Sequence, residues 1–289
     1  MAHVARTRSY LMIYAGACSA LLSAVALANL TVDPLHFYHR PWWHNRFVDN
    51  QRYQNPGLAK NYAYDSVIIG TSHTENFRPS QVDEALGWRT LKLSISGSTA
   101  REQRLVLCKA LENRPIRHVL WGIEFESFAG GAETVSAGFP FHLYLERWDT
   151  PLKYLLSTDT LQFSLRALRG RGPRDRDNLG DWGDEFTFGR DRVVEAWKYT
   201  QSHGGETSDA RQHALRHINP RDLRESLHVN LVDVVRNNPD TRFHLFFPPY
   251  SVLSSLNDFT ISSTLFEERV RFQEAVVNAL ADCDHCEIY

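Results

Sequence analysis

Apolar positions fall into three textures along this chain. From Ser9 to Val32 they run almost without interruption and without a charge. Residues 33–64 mix His, Trp, Tyr and Asn with no clear period and read as an irregular juxtamembrane segment. From Asp65 onward, short β-branched or aromatic runs alternate with stretches of helical spacing, the pattern of buried strands joined by amphipathic helices. Val67-Ile68-Ile69, Thr90–Ser94, Arg117–Ile123 and Arg242–Phe247 predict four strands, and Cys286–Tyr289 begins a fifth. Between them the spacing predicts helices over Pro79–Leu86 (capped by Ser80), Thr99–Asn113, Asn219–Asn237 and Thr264–Asp282. Strand, helix, strand at these short intervals implies right-handed crossovers and a parallel sheet. The rhythm breaks at about 127–208, where glycines, an Arg/Asp-rich tract and helical pieces at Asp149–Ser157, Asp159–Leu168 and Arg190–Ser202 predict a helical insertion or lid. The expected organisation is therefore 1–32, 33–64, and an α/β domain over 65–289 carrying that insertion.

The uncharged stretch changes the picture most. Arg6 and Arg8 precede it, no positive charge follows at once, and about 20 apolar residues cross a bilayer core. Positive charge ahead of the span predicts a cytoplasmic N-terminus and an exported remainder. Ala26-Leu27-Ala28 has the form of a signal-peptidase site, so a cleaved signal peptide competes with an uncleaved anchor. The length of the stretch favours the anchor. Tyr38, Trp42 and Trp43 supply aromatic residues of the kind that sit at a membrane interface.

The composition of the whole 289-residue chain is that of a globular protein, 43% hydrophobic and 23% charged. A formal charge of -2 and scattered basic residues argue against nucleic acid. No phosphate-cradling glycine motif follows a predicted strand, which argues against nucleotide binding, and no cofactor is expected. Histidines and carboxylates lack metal-ligand spacing, so no metal is expected. Cys283 and Cys286 can close a small disulfide in an exported chain, but their place between helix and strand does not suit thiol redox chemistry. His203-Gly204-Gly205 reads as a turn, because no strand precedes it.

The candidate chemistry begins at Asp65–Phe77. The strand stops at Gly70 and delivers Ser72 into a polar turn at its carboxyl end, where open α/β sheets keep their ligand sites. A strand ending in an ordinary polar turn is the plainer reading. Ile69-Gly70-Thr71-Ser72-His73-Thr74-Glu75-Asn76-Phe77 nevertheless stands in order with Asp33-Pro34 followed by His36, Tyr38 and His39, and with Arg52-Tyr53-Gln54-Asn55. Ser96-Gly97-Ser98, Phe186-Thr187-Phe188-Gly189 and Phe246-Phe247-Pro248-Pro249-Tyr250-Ser251 extend the series. Together they make the chain resemble the SGNH/GDSL hydrolase superfamily, and a membrane-anchored bacterial subgroup of it.

The resemblance implies a flavodoxin-like three-layer parallel sheet and a serine acyl hydrolase or acyltransferase. Ser72 would be the nucleophile, and its own N–H and that of Gly97 would line the oxyanion hole. It further implies an inner-membrane anchor, a periplasmic or extracellular main domain, and an ester-bearing cell-surface glycan or similar polymer as substrate. Two departures accompany it. Where the superfamily has Gly-x-Asn, this chain has Gly122-Ile123-Glu124, and a carboxylate accepts hydrogen bonds rather than donating them. Glu124 can orient a lysine or arginine, donate if protonated, or cap the turn that follows. The superfamily's Asp-x-x-His after the fifth strand is not met before Tyr289. Asp33-x-x-His36 adjoins the span, and Asp282-x-x-His285 is expected at the amino end of the sheet. His73 is expected to point away from the serine. The expectation is thus either a longer enzyme or a catalytically incomplete binding or assembly protein of the same fold.

Overall fold

The computed structural model describes residues 2–175, 177, 179, 189–203, 218–250, 262 and 264–289. They divide into two compact units. One joins Ala63–Phe139 to Asp177–Tyr289, and the other joins Met1–Tyr62 to Pro140–Arg176.

The first unit is built on five strands: β1 (Ser66–Ile69), β2 (Thr90–Lys92), β3 (His118–Gly122), β4 (Arg242–Phe246) and β5 (Cys286–Ile288). All pair in parallel, in the order β2-β1-β3-β4-β5. Val67, Ile68, Ile69, Leu91, Val119, Trp121, Phe243 and Leu245 are all but inaccessible to solvent. A sheet covered on both faces demands such runs, which is why β1 reads as continuous rather than alternating hydrophobicity. The joining helices lie close to their predicted bounds: Pro79–Leu86, Ala100–Asn113, Pro220–Leu227 with its continuation, and Leu265–Leu280. Thr99 caps the second of these, its hydroxyl accepting from the Glu102 N–H. Ser80 is not the cap predicted for the first. Arg78 holds that position, and the Ser80 N–H and hydroxyl both donate to Asp177. The third helix widens into a π turn at His228–Val232 before resuming at Asp233–Arg236. Within that turn the buried Asn230 donates to the Ala132 carbonyl at 3.0 Å. Cys283 and Cys286 are free thiols in this structure, and burial beside Cys283 pushes the Cys286 thiol up to about 12.

The second unit contains α1 (Ala2–Val32), α2 (Gln51–Asn61), and three short helices at Phe141–Tyr144, Thr150–Leu155 and Thr158–Leu168. Within α1, Thr7–Val32 is long and apolar enough to cross a membrane. Asp33 ends α1 in the left-handed region, at φ 42°. Its buried carboxylate accepts from the Phe37, Tyr38 and His39 N–H groups and from the Tyr154 hydroxyl. Residues 33–64 are thus not wholly irregular, because α2 forms among them despite Pro56. A proline lacks the N–H that would reach the carbonyl four residues back. Here the Tyr144 hydroxyl donates to that carbonyl, Arg52 O, at 2.9 Å. Gly57 lets the backbone of Leu35 come so close that a Cβ would sit 1.9 Å from its oxygen.

Candidate functional site

Connections leave β1 toward β2 on one side and β3 toward β4 on the other, so the strand order reverses between β1 and β3. In open parallel sheets this reversal opens a crevice at the carboxyl ends of the two strands. The residues following β1 and β3 meet there.

Gly70, at φ 150°, turns the chain out of β1. A Cβ on Gly70 or on Gly122 would lie 2.7 Å from the Thr74 methyl, so both strand ends need glycine for the turn to seat. Thr74 is fully buried and donates to the Thr71 carbonyl at 2.8 Å. Ser72–Thr74 then form one 3-10 turn. The Gly70 carbonyl accepts from the Ile95 N–H at 3.0 Å, which brings the Gly97 turn to the same end of the sheet. Gly97 itself has a left-handed φ of 57°. Gln103 clamps the far side of that turn, donating to Ser98 Oγ and Ser127 Oγ while accepting from Trp121 Nε1 at 2.7 Å.

A cavity of about 510 Å³ opens here, and Ser72, His73, Gly97, Glu124 and Glu126 all line it. Ser72 is half-buried, and among the described residues neither its N–H nor its hydroxyl has a hydrogen-bond partner. The three predicted site residues, Ser72, Gly97 and Glu124, therefore share one crevice.

Glu124 neither caps the turn that follows nor orients the nearby arginine. It begins the Phe125–Phe128 helix without capping it. The nearby arginine, Arg269, pairs with Glu126 at 2.6 Å instead. Buried at 5% exposure, the Glu124 carboxylate accepts from the Thr71 hydroxyl, from His73 Nδ1 at 3.0 Å and from the Tyr250 hydroxyl at 2.8 Å. Burial, then the Glu126 and Glu124 charges, raise the Tyr250 hydroxyl well above its ordinary range, which keeps it a donor. Because a carboxylate only accepts, His73 must carry its proton on Nδ1 in this pair, and the basic lone pair falls to Nε2.

His73 is thus a partner of Glu124 and a wall of the Ser72 cavity. Neither sequence-level alternative joins the site. His285 precedes β5 and hydrogen-bonds the Val235 carbonyl at 3.0 Å, at the amino end of the sheet as predicted. His36 belongs to the other unit, buried between Tyr62 and the Arg46 carbonyl. Gly204 and Gly205, where a turn is expected, together with Phe186–Phe188 and Ser251 lie outside the described residues. Among the described residues no three His, Cys, Asp or Glu side chains gather as a metal site. The signal for Tyr250 and His73 was Glu124 itself, since a buried carboxylate after a strand must find donors.

Comparison of the chain with protein-family models, with curated proteins and with solved structures found no match.

Proposed function

We propose that this chain is a membrane-anchored serine acyl hydrolase or acyltransferase of SGNH type, acting outside the cytoplasm. The observation that carries the reading is the convergence of Ser72, Gly97 and the His73–Glu124 pair on one cavity at the sheet's switch point. Ser72 Oγ attacks the ester carbonyl carbon, and its proton passes to His73 Nε2, directly or through one water. The Glu124 carboxylate holds the imidazole in the required tautomer and balances the charge it gains. Negative charge developing on the carbonyl oxygen meets the N–H groups of Ser72 and Gly97. The alcohol leaves with the proton from His73, and an acyl ester remains on Ser72. Water or a second hydroxyl then resolves it, giving hydrolysis or acyl transfer. On this reading His73 and Glu124 take the place of the superfamily's Asp-x-x-His, and Glu124 is a positioning residue rather than an oxyanion donor. The roomy, hydroxyl-lined cavity suits ester groups on a cell-surface glycan or similar polymer.

A second reading, a binding or assembly protein with the same crevice, is favoured by the short turn that carries both Ser72 and His73. Consecutive side chains in a turn generally point apart, which is the expectation for His73 from the sequence. A fluorophosphonate probe on the purified full-length protein separates the two readings. Labelling that disappears in Ser72→Ala and slows about 10²–10⁴-fold in His73→Ala supports the enzyme. Wild-type protein that stays unlabelled, or labels equally in Ser72→Ala, overturns it.

A further inference from the structure

The unit holding α1 exposes an apolar edge that neither the core nor the candidate site uses. Trp148, Leu152 and Leu156 follow one another at four-residue intervals across the Thr150–Leu155 helix, exposed at 83%, 57% and 40%. On the next helix, Thr158–Leu168, the exposed Leu165 and Leu168 continue a stripe that begins at Leu161. The charged Asp159 and Arg166 of that helix, seven residues apart, fall on the opposite stripe. Between the two stripes, the small residues Thr160, Ser164 and Ala167 are buried. Both helices pack on α1 itself. The point of attachment is Asn29, fully buried, which donates to the Leu155 carbonyl at 2.9 Å and accepts from the Ser164 hydroxyl at 2.9 Å.

The position of Asn29 sets the depth. Thr7–Val32 has 26 residues, which at about 1.5 Å each make roughly 39 Å. A hydrocarbon core takes up about 30 Å of that, so the last turns of α1 stand in the headgroup region or share in a tilt. Asn29 is three residues from the end. Helices tied to it lie at the level where interfacial amphipathic helices rest, about 5–10 Å into the headgroup and acyl boundary. Trp42 and Trp43, also exposed and a few residues beyond α1, add aromatic side chains in the same unit.

We infer that the two helices Thr150–Leu155 and Thr158–Leu168 form a collar seated in the bilayer around the foot of α1, with Trp148, Leu152, Leu156, Leu165 and Leu168 in contact with lipid. The occupant of this face is the bilayer that α1 crosses, so the inference rests on α1 being an anchor. The insertion thereby gives a single helix a broad footing on the membrane. On this inference lipid covers the apolar edge, as it covers the exposed side chains of α1.

The test uses the full-length protein in lipid nanodiscs, with Cys18, Cys108, Cys283 and Cys286 replaced by serine. A nitroxide is placed in turn at Leu22→Cys, Leu152→Cys, Leu165→Cys and Lys153→Cys, and relaxation by oxygen is compared with relaxation by a water-soluble nickel chelate. Oxygen should dominate at 22, 152 and 165, and nickel at 153, which leaves the helix on another side. Nickel dominating at 152 and 165 while oxygen dominates at 22 overturns the collar and leaves the anchor intact. Nickel dominating at 22 overturns the anchor, and the collar with it. Labels at 152 and 165 shielded from both reagents would show a protein covering the face, and would also overturn the collar. Quenching of wild-type fluorescence by brominated lipid, reduced in Trp148→Phe, supplies a readout that needs no cysteine changes. Equal quenching in the two proteins removes Trp148 from the lipid contact.

Discussion

His36 makes the region at the end of α1 sensitive to acid, by an amount that can be calculated. Its ring is fully buried, with Nδ1 2.8 Å from the Tyr62 hydroxyl and Nε2 3.0 Å from the Arg46 carbonyl. A carbonyl only accepts, so Nε2 carries the hydrogen and Nδ1 accepts from Tyr62. A second proton would have to displace that hydroxyl inside a site where burial already disfavours charge. Burial first, with the neighbouring His44, His39 and Arg40 charges adding to it, lowers His36 from 6.5 to about 3, against a smaller opposing effect of the Arg46 carbonyl. The opened state therefore binds a proton that the closed state refuses throughout the window from about 6.5 down to about 3. Stability is present above that window and is lost as pH falls through it. Between about pH 8 and about pH 5 the loss is about 2 kcal/mol, or roughly 30-fold in the opening equilibrium. Amide exchange of the Phe37, Tyr38 and His39 N–H groups, which the Asp33 carboxylate accepts, reads this opening locally. After correction for intrinsic rates, their protection should fall about 30-fold between those pH values in the wild-type protein, and much less in His36→Asn. Protection that is flat with pH, or that falls equally in the variant, would contradict this account of His36.

Three further outcomes rest on the same kind of packing. Glu124→Gln keeps the size of the side chain but loses a charge-assisted acceptor of the His73 ring, so Ser72 labelling by a fluorophosphonate should slow about 10–100-fold. Unchanged labelling across about pH 6–8 would remove Glu124 from the positioning of His73. Gly57→Ala pushes a methyl into the Leu35 carbonyl and should cost about 2–3 kcal/mol, measured as a lowered urea midpoint for unfolding of the helical unit. Gln103→Leu strands the Trp121 N–H inside the sheet's helical cover and frees Ser98 and Ser127. It should lower stability by about 2–4 kcal/mol and slow Ser72 labelling as well, because the Gly97 turn loses its clamp. A stable variant that labels normally would show that the clamp does not set the turn.

The strands were legible because each is a short local run with apolar residues at its buried positions, continuous at Val67-Ile68-Ile69 and alternating at Val119 and Trp121. The serine at position 72 was legible for the same reason, since a strand that stops at a glycine announces its own carboxyl end. What was not legible depended on partners distant along the chain. The helix α2 hides behind Pro56-Gly57, and its lost hydrogen bond is restored by Tyr144, 92 residues away. The role of Glu124 needed Thr71, His73 and Tyr250 together, and the last of these lies 126 residues on. His73 was set aside because neighbouring side chains in a turn diverge, a local argument that is sound as far as it goes. What it leaves out is the buried carboxylate: once Glu124 is sealed beneath the turn, its two oxygens draw donors within reach, and the imidazole next to Ser72 in the chain is one of them. The departure from Gly-x-Asn then acquires a reading of its own under the proposed function. Under that proposal an asparagine at 124 would offer an oxyanion donor and need a histidine from elsewhere, whereas the glutamate gives up that donor and holds His73. Glu124→Asn therefore tests the exchange directly. If the pairing is what activates Ser72, the asparagine variant should lose labelling despite matching the superfamily's residue, and labelling that rises would return the histidine to another part of the protein.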